Sequence, residues 1–514
     1  MSNFKPLKKM YSLRKLWAEK PFTLIIILAI FFRLLAVLFS KGYAMMDDHY
    51  LVIEQAQMWV DDYDDNKWLP AYGATTPSGH SLFYVGIHYL FFSFFEFIGI
   101  CEPQFKMYLI RLFHAAFSLL IIIFGYKITL HISNKKSALQ VALLLSIGWL
   151  FPFLSVRNLV EYACIPFFMW GLWYVLKSLS KEKNKTIMFL AGFICGLSIS
   201  VRFQAILLIA GLVLALIIKK KWNPAIFFST GTIVSFILFQ GVTDYFIWKR
   251  PFAELSEYIK YNLNNRYTYF TGNWYNYILL ILGLLLPPVS FFLFFGWLKT
   301  WKKHLLVFLP ALLFLLFHIY FPNRQERFIL PILPLIIITG VIGWNEFIAT
   351  SNYWQKQKKL LFASWAFFWT LNVILLIPLS LTYTKRSYVE AMTYLKNQKI
   401  TYIVIDDMNH NPSPMIPRFY LVNWKSYYYT SGIYPYYKLA QTKEYLIKHN
   451  IKLPNYFIFL EKENLFQRVD SMNMLFPELV CDTLIEPGFI DRVMHFLNKR
   501  NKNPYITIYH RDEK

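Results

Sequence analysis

Apolar runs of membrane-spanning length recur from residue 22 to residue 382, and they limit the fold before any motif is considered. A hydrocarbon core about 30 Å thick takes about 20 mostly apolar helical residues to cross, with every backbone amide satisfied inside the segment. Candidate spans are 22–40, 81–99, 108–130, 138–153, 158–178, 187–200, 203–218, 224–247, 277–298, 304–320, 328–349 and 358–382. With 56% hydrophobic and 16% charged residues in 514, the excess apolar surface must face lipid. The expectation is a polytopic α-helical membrane domain over 1–384. A more polar tail, 385–514, follows; its short strand-like runs (402–405, 456–459, 505–509) and a helical run near Tyr388–Leu395 suggest a small α/β unit.

The net charge of +23 excludes little until its placement is read. Lys and Arg concentrate in short loops between apolar runs, the positive-inside pattern, so nucleic acid is not expected as a partner and membrane lipid is. If 81–99 dips in without crossing, then Lys135/Lys136, Lys181–Lys185, Lys219–Lys221, Lys302/Lys303 and Lys356–Lys359 all fall on one side. That gives about eleven crossings plus one shallow segment, with the tail and the polar clusters opposite. A basic head (Lys5, Lys8, Lys9, Arg14, Lys15, Lys20) precedes the first run, and no small-residue cleavage site follows, so that run is read as an uncleaved span. Cys101, Cys164, Cys195 and Cys481 have no paired spacing and read as buried small hydrophobes.

Where the first run ends, the chain reads Tyr43-Ala-Met-Met-Asp-Asp-His-Tyr50, with Glu54 a turn later. Carboxylates are costly beside lipid, and adjacent ones shift each other's titration, so Asp47 and Asp48 are candidate catalytic groups in the 41–80 loop. A carboxylate here could be a general base toward a hydroxyl, or could hold a divalent cation. Asp47 to Trp59 reads as an interfacial amphipathic helix with Tyr50, Ile53 and Gln57 on one face. Asp61, Asp62, Asp64 and Asp65 read as a solvated turn, and His80 as a turn or interfacial residue that could contact a sugar or phosphate.

Asn158 and Glu161 are three apart and share a helical face beside Arg157. Arg202 lies between two apolar runs, where an arginine either snorkels or serves a site. From Asp244 to Tyr277 aromatics alternate with amides, Tyr269, Trp274 and Tyr275 among them. Such a surface suits sugar rings, and an interfacial aromatic belt is the competing explanation. Asn323-Arg-Gln-Glu-Arg327 sits at a span mouth, and its two arginines suit a phosphate through bidentate charge-assisted bonds.

Taken in order, these strings resemble the GT-C superfamily of integral-membrane glycosyltransferases, and most closely glycosyltransferase family 22, the alpha-mannosyltransferases that draw on polyprenyl or dolichyl phosphates. The family's His-Pro-Asp-Glu and later Glu-x-Ala are matched by Met45-Met-Asp-Asp-His-Tyr-Leu-Val-Ile-Glu-Gln-Ala56, with Met46 in place of the proline. Arg157-Asn158-x-x-Glu161, Gly196 to Arg202 and Ala205, Asp244, Tyr269 to Tyr275, and Asn323-Arg-Gln-Glu-Arg-Phe-Ile-Leu-Pro331 follow in the family's order over about 20–345. Asn323 and Gln325 depart from the family's His and Glu.

The resemblance implies a GT-C fold and an inverting transfer of a sugar, mannose or another hexose, from a polyprenyl-phosphate donor to a glycan, lipid or protein acceptor. Asp47, with Asp48, would serve as base. Arg324, Arg327 and Arg202 would hold the donor phosphate. Glu54, His80, Asn158, Glu161, Asp244, Tyr269, Trp274 and Tyr275 would contact substrate. No obligatory cofactor is implied, although a divalent cation at Asp47/Asp48 stays open. The location implied is a bacterial inner membrane or endoplasmic reticulum, with the chemistry on the extracytoplasmic side. Two alternatives remain: a transferase of a pentose or aminopentose, and a flippase of a lipid-linked sugar. The polar clusters at span ends and the lack of an internal repeat argue against the flippase.

Overall fold

Described by a computed structural model, the structure covers residues 13–511 except 181–183, 270, 408–414, 425–426, 432–433 and 500–502. Lys5, Lys8 and Lys9 of the basic head, and Lys181 and Lys183, lie outside the described residues. Among the described residues five helices are long and apolar enough to cross a membrane: Pro21–Phe39, Pro103–Ile132, Trp222–Trp248, Glu326–Thr350 and Lys358–Ser380. A sixth candidate is the pair Asn276–Leu284 and Val289–Lys299, bent by 119°.

The twelve runs expected from hydropathy are therefore not twelve long helices. Several break where the sequence cannot continue an α-helix. The 138–153 run stops at Ile147 and restarts at Leu150, around Gly148, and the runs flanking Arg202 end at Val201 and restart at Phe203. The freed backbone groups at the Gly148 break are satisfied by buried Asn372, which donates to the Ile147 carbonyl at 2.8 Å and accepts from Trp149 N at 2.8 Å. The segment expected to dip is the helix Leu82–Phe97, whose 16 residues rise about 24 Å, short of a full crossing.

Most long helices present much of their surface to lipid, but 89% of the apolar window in Glu326–Thr350 is buried, making it the centre of the bundle. Glycines allow its close approach to Val289–Lys299: a Cβ on Gly296 would lie 2.1 Å from the Gly340 carbonyl oxygen. In Pro21–Phe39 the charge of Arg33 is buried and satisfied. Its Nε donates to Ser118 Oγ at 2.8 Å and Nη1 to the Ser146 carbonyl at 3.0 Å, fastening the first span to two later ones.

Two compact units emerge. One comprises the described residues of Met1–Leu38, Lys67–Tyr84 and Ile110–Ser380; the other comprises those of Phe39–Asn66, Val85–Leu109 and Leu381–Lys514. The second unit carries a five-stranded sheet of order β2-β1-β3-β5-β4, with β1 Ile403–Asp407, β2 Tyr427–Ser431, β3 Tyr456–Leu460, β4 Val480–Ile485 and β5 Ile506–His510. Strand β1 pairs parallel with β2 and β3, while β5 runs antiparallel to β3 and β4. Every residue of β1 is buried, as a central parallel strand requires. Val404, Phe457 and Phe459 pack with Leu439, Met472 and Phe476 from two covering helices. The three expected strands and the 386–396 helix are present; β2, three tyrosines followed by Thr and Ser, and β4, whose apolar pairs are split by Asp482 and Thr483, gave no continuous apolar run to read. Cys164 and Cys195 are buried as expected, whereas Cys101 and Cys481 are exposed, because the first lies in the link between two helices and the second on the sheet's edge strand.

Candidate functional site

The acidic segment belongs to the second unit. Residues 46–60 form one continuous helix with a π-helical stretch at His49–Glu54. It is not the interfacial helix expected. Nearly all its positions from Asp48 to Met58 are buried, which marks a packed helix rather than one floating at a lipid surface. Asp47 is half-buried in the first turn and Asp48 is buried. His49 is stacked between Tyr43 (4.6 Å) and Tyr420 (5.5 Å), with Nε2 3.5 Å from Glu54 Oε1.

Glu54 is buried and its Oε1 accepts from the Phe419 amide at 2.9 Å, so this carboxylate holds the 416–424 segment against the acidic helix. Asp61 and Asp65 do the same, so the aspartates after it are not merely a solvated turn. Asp64 is buried and accepts from Gln55 Nε2 at 2.8 Å, Asp61 accepts from Trp424 Nε1 at 2.7 Å, and Asp65 pairs with Arg418 at 2.7 Å. Only tertiary structure could reveal these partners, since Trp424 and Arg418 lie more than 350 residues along the chain.

The arginine cluster belongs to the first unit. Glu161, fully buried in the short helix Val160–Ala163, accepts from Arg202 Nη1 at 2.5 Å, and Arg327 Nε lies 3.4 Å from the same oxygen. Both guanidinium groups lie over the Phe328 ring, at 5.0 and 5.7 Å. Arg202 is 6% exposed, which excludes snorkelling. Its Nε and Nη2, together with Glu161 Oε2 and Asn158 Oδ1, are buried and find no hydrogen-bond partner among the described residues. Arg324 turns elsewhere, donating to the Ile319 carbonyl at 2.6 Å. Asn158 precedes the short helix, so the shared helical face expected for it and Glu161 does not form, although both are buried.

Other predicted residues in this unit divide into buried and exposed sets. Asp244 is fully buried, and both its oxygens are occupied, by Gln240 Nε2 at 2.8 Å and the Glu254 amide at 3.1 Å. Through the second of these it satisfies an otherwise free N–H in the first turn of the helix Ala253–Asn264. His80 is exposed and stacks on Trp68 at 5.1 Å. Tyr269, Trp274 and Tyr275 are exposed, with Tyr269 bonded to the Tyr261 hydroxyl and Trp274 edge-on to Tyr275 at 5.8 Å. Thr271, in the same loop, bridges to Asn323 in antiparallel fashion, so the aromatic loop is tied to the mouth carrying Arg324 and Arg327.

The sequence matches the Alg9-like mannosyltransferase family over residues 24–415. The chain belongs to that family. No curated protein matches it. Its fold is similar to that of ArnT from Cupriavidus metallidurans bound to undecaprenyl phosphate, with 11% identity, coverage of 95% of this chain and 97% of that one, and a TM-score of 0.63. The apo state of ArnT gives 12% identity, 97% and 98% coverage, and 0.59. Archaeal oligosaccharyltransferase AglB from Archaeoglobus fulgidus, in complex with an inhibitory peptide and a dolichol-phosphate, gives 10% identity, 89% and 71% coverage, and 0.51. At such identities the likeness is one of fold, the GT-C architecture.

As an Alg9-like family member the protein is a multi-pass membrane glycosyltransferase of the mannosyltransferase type. Among its described residues no group of three or more His, Cys, Asp or Glu converges to hold a metal ion. The sequence did not single out Glu254, a buried carboxylate, or Tyr258. That tyrosine, at 5.2 Å from Phe203, has its hydroxyl pushed up to about 12 by burial, against the pull of Arg202. An acid placed between Ala253 and Leu255 in the first helical turn was the available signal for Glu254.

Proposed function

We propose that the protein transfers a mannosyl unit from a polyprenyl-phosphate donor to a hydroxyl acceptor on the extracytoplasmic side, with inversion. The observation that carries this reading is the pair Arg202 and Arg327 gathered on one Glu161 oxygen, with two Arg202 nitrogens left unbonded in a buried setting. Buried guanidinium donors without partners are costly, and a phosphate would satisfy them. The family membership supplies the sugar, and ArnT and AglB, which share the fold, are seen with polyprenyl and dolichyl phosphate.

In the proposed step the acceptor hydroxyl gives its proton to the Asp47 carboxylate while its oxygen bonds to the anomeric carbon. The bond from that carbon to the phosphate oxygen breaks with its electron pair, and the polyprenyl phosphate leaves with its negative charge met by Arg202 and Arg327. Glu161 acts by setting the arginines rather than by touching sugar. Asp47, half-buried, suits the base better than buried Asp48, and Tyr269, Trp274 and Tyr275 suit an apolar sugar face. The arginines supply the electrostatic part of the rate, about 10²–10³ for loss of one such donor.

The test is transfer from radiolabelled polyprenyl-phosphate mannose by the purified protein in liposomes. Arg202→Gln should lower turnover by about 10²–10³. Wild-type turnover in that variant, correctly inserted, overturns the assignment of the cluster; release of label from glucosyl but not mannosyl donor overturns the sugar.

A further inference from the structure

Glu254, in the first turn of Ala253–Asn264, is fully buried and is the meeting point of three segments. Its Oε2 accepts from Ser78 Oγ at 2.9 Å and from the Gly79 amide at 2.8 Å, and its Oε1 accepts from Trp248 Nε1 at 2.9 Å. Gly79 has φ +72°, and a Cβ there would lie 3.4 Å from Tyr258 N, so the loop rests directly on the helix backbone. Further along this loop the Ser81 hydroxyl reaches Gln240 Oε1 at 2.9 Å and the Ser200 carbonyl, two residues before Arg202. One turn after Glu254, Tyr258 packs on Phe203, the residue after Arg202. The 78–81 loop and the Ala253–Asn264 helix thus both abut the segment that carries Arg202.

We propose that Glu254 is a positioning residue whose carboxyl group latches the 78–81 loop to the Ala253–Asn264 helix and whose protonation sets how tightly the latch holds. The consequence for catalysis rests on the reading of Arg202 as a phosphate ligand; the latch itself does not. When Glu254 is protonated, the hydrogen sits on Oε2 and donates to Ser78 Oγ, while the Gly79 and Trp248 N–H groups still find lone pairs, so all partners are satisfied. When it ionises, a negative charge is buried beside the Asp244 carboxylate, with only neutral donors to hold it. The other charged groups on the packed elements are Lys249 and Arg250 after Trp248, Glu257 and Lys260 on the same helix, His80 on the loop, and Arg202 on the abutting segment.

Burial, reinforced by Asp244 and opposed by the three donors, pushes the Glu254 carboxyl up to about 7. Opening the loop returns it to water and toward the ordinary value of 4.5. The closed state therefore binds the proton more tightly, so acid favours closure, and rising pH loosens the latch up to and through about 7. Between pH 6 and pH 8 these two values give roughly a tenfold increase in the opening equilibrium.

Hydrogen exchange of the intact protein tests this with no sugar substrate present, so its outcome is independent of the donor and acceptor. Amides of residues 78–81, with rates divided by the intrinsic chemical rate at each pH, should open about tenfold more at pH 8 than at pH 6. In Glu254→Gln, which cannot titrate, that slope should vanish while a core peptide over 333–345 is unchanged. In Trp248→Phe, which removes a donor to the carboxylate, the midpoint should move to higher pH. A flat wild-type profile, a slope kept in Glu254→Gln, or an unmoved midpoint in Trp248→Phe overturns the latch. The positioning role is read separately, as the pH dependence of donor KM in the transfer assay. Glu254→Gln should flatten it over pH 6–8, and an unaltered pH profile overturns that role even if the latch stands.

Discussion

Replacing Glu161 by glutamine keeps the shape of the arginine cluster and removes the negative charge that Arg202 and Arg327 share. In the native protein one Glu161 oxygen faces Arg202 at 2.5 Å and Arg327 at 3.4 Å. With an effective dielectric of about 20, unit charges at these separations attract by about 5–7 kcal/mol each. Most of that offsets the desolvation of buried Glu161 and Arg202 and of partly buried Arg327, and removing one partner of such an arrangement costs about 3–5 kcal/mol net. Glu161→Gln should therefore lower the apparent Tm of the purified protein by several degrees. The loss should be partly recovered by a ligand anion, because the guanidinium groups left without a carboxylate bind phosphate more strongly. The assay is thermal unfolding in detergent with and without polyprenyl phosphate. The expected result is a larger ligand-induced rise in Tm for the variant than for the wild type. An equal or smaller rise would falsify the reasoning that these arginines face a phosphate, and an unchanged Tm without ligand would refute the energetic role given to Glu161.

Asp47→Asn should reduce transfer by about 10²–10⁴, the usual value of a general base, with insertion and Tm preserved; a turnover near wild type removes Asp47 from the chemistry. Trp274→Ala should raise KM for the sugar substrate with little change in stability, since the ring is 61% exposed; a loss of Tm instead would make it a packing residue. Gly79→Ala puts a side chain at φ +72°, costing about 1–2 kcal/mol, and should raise exchange of the 78–81 amides even at pH 6. Arg33→Ala should destabilise by about 2–5 kcal/mol through a cavity and the lost bonds to Ser118 and Ser146, measured by unfolding in detergent.

How much was legible follows from the range of each interaction. The strands at 403–407, 456–460 and 506–510 carried a local signal, apolar and β-branched or aromatic residues in short runs. The grouping of Arg202 with Arg327 was expected from the family's motif order, but the carboxylate that gathers them was assigned to substrate, because Glu161 and Arg202 are 41 residues apart and nothing local links them. Asp61, Asp64 and Asp65 looked solvated for the same reason: acidity is visible in a sequence, whereas the tryptophan and arginine that answer it are not.

The sequence by itself determined that this chain lives in a membrane, where its apolar segments fall, and which family it joins, since hydropathy and motif order are properties of consecutive residues. Only the tertiary structure decided which helices break, which span is wrapped by the others, and which buried charges meet. Those outcomes depend on burying each ionisable group against a particular distant partner: Arg33 against Ser118, Arg202 against Glu161, and Glu254 against Gly79, 175 residues away. A charge withdrawn from water is tolerated only where such a partner waits, and its location is fixed by packing rather than by spacing.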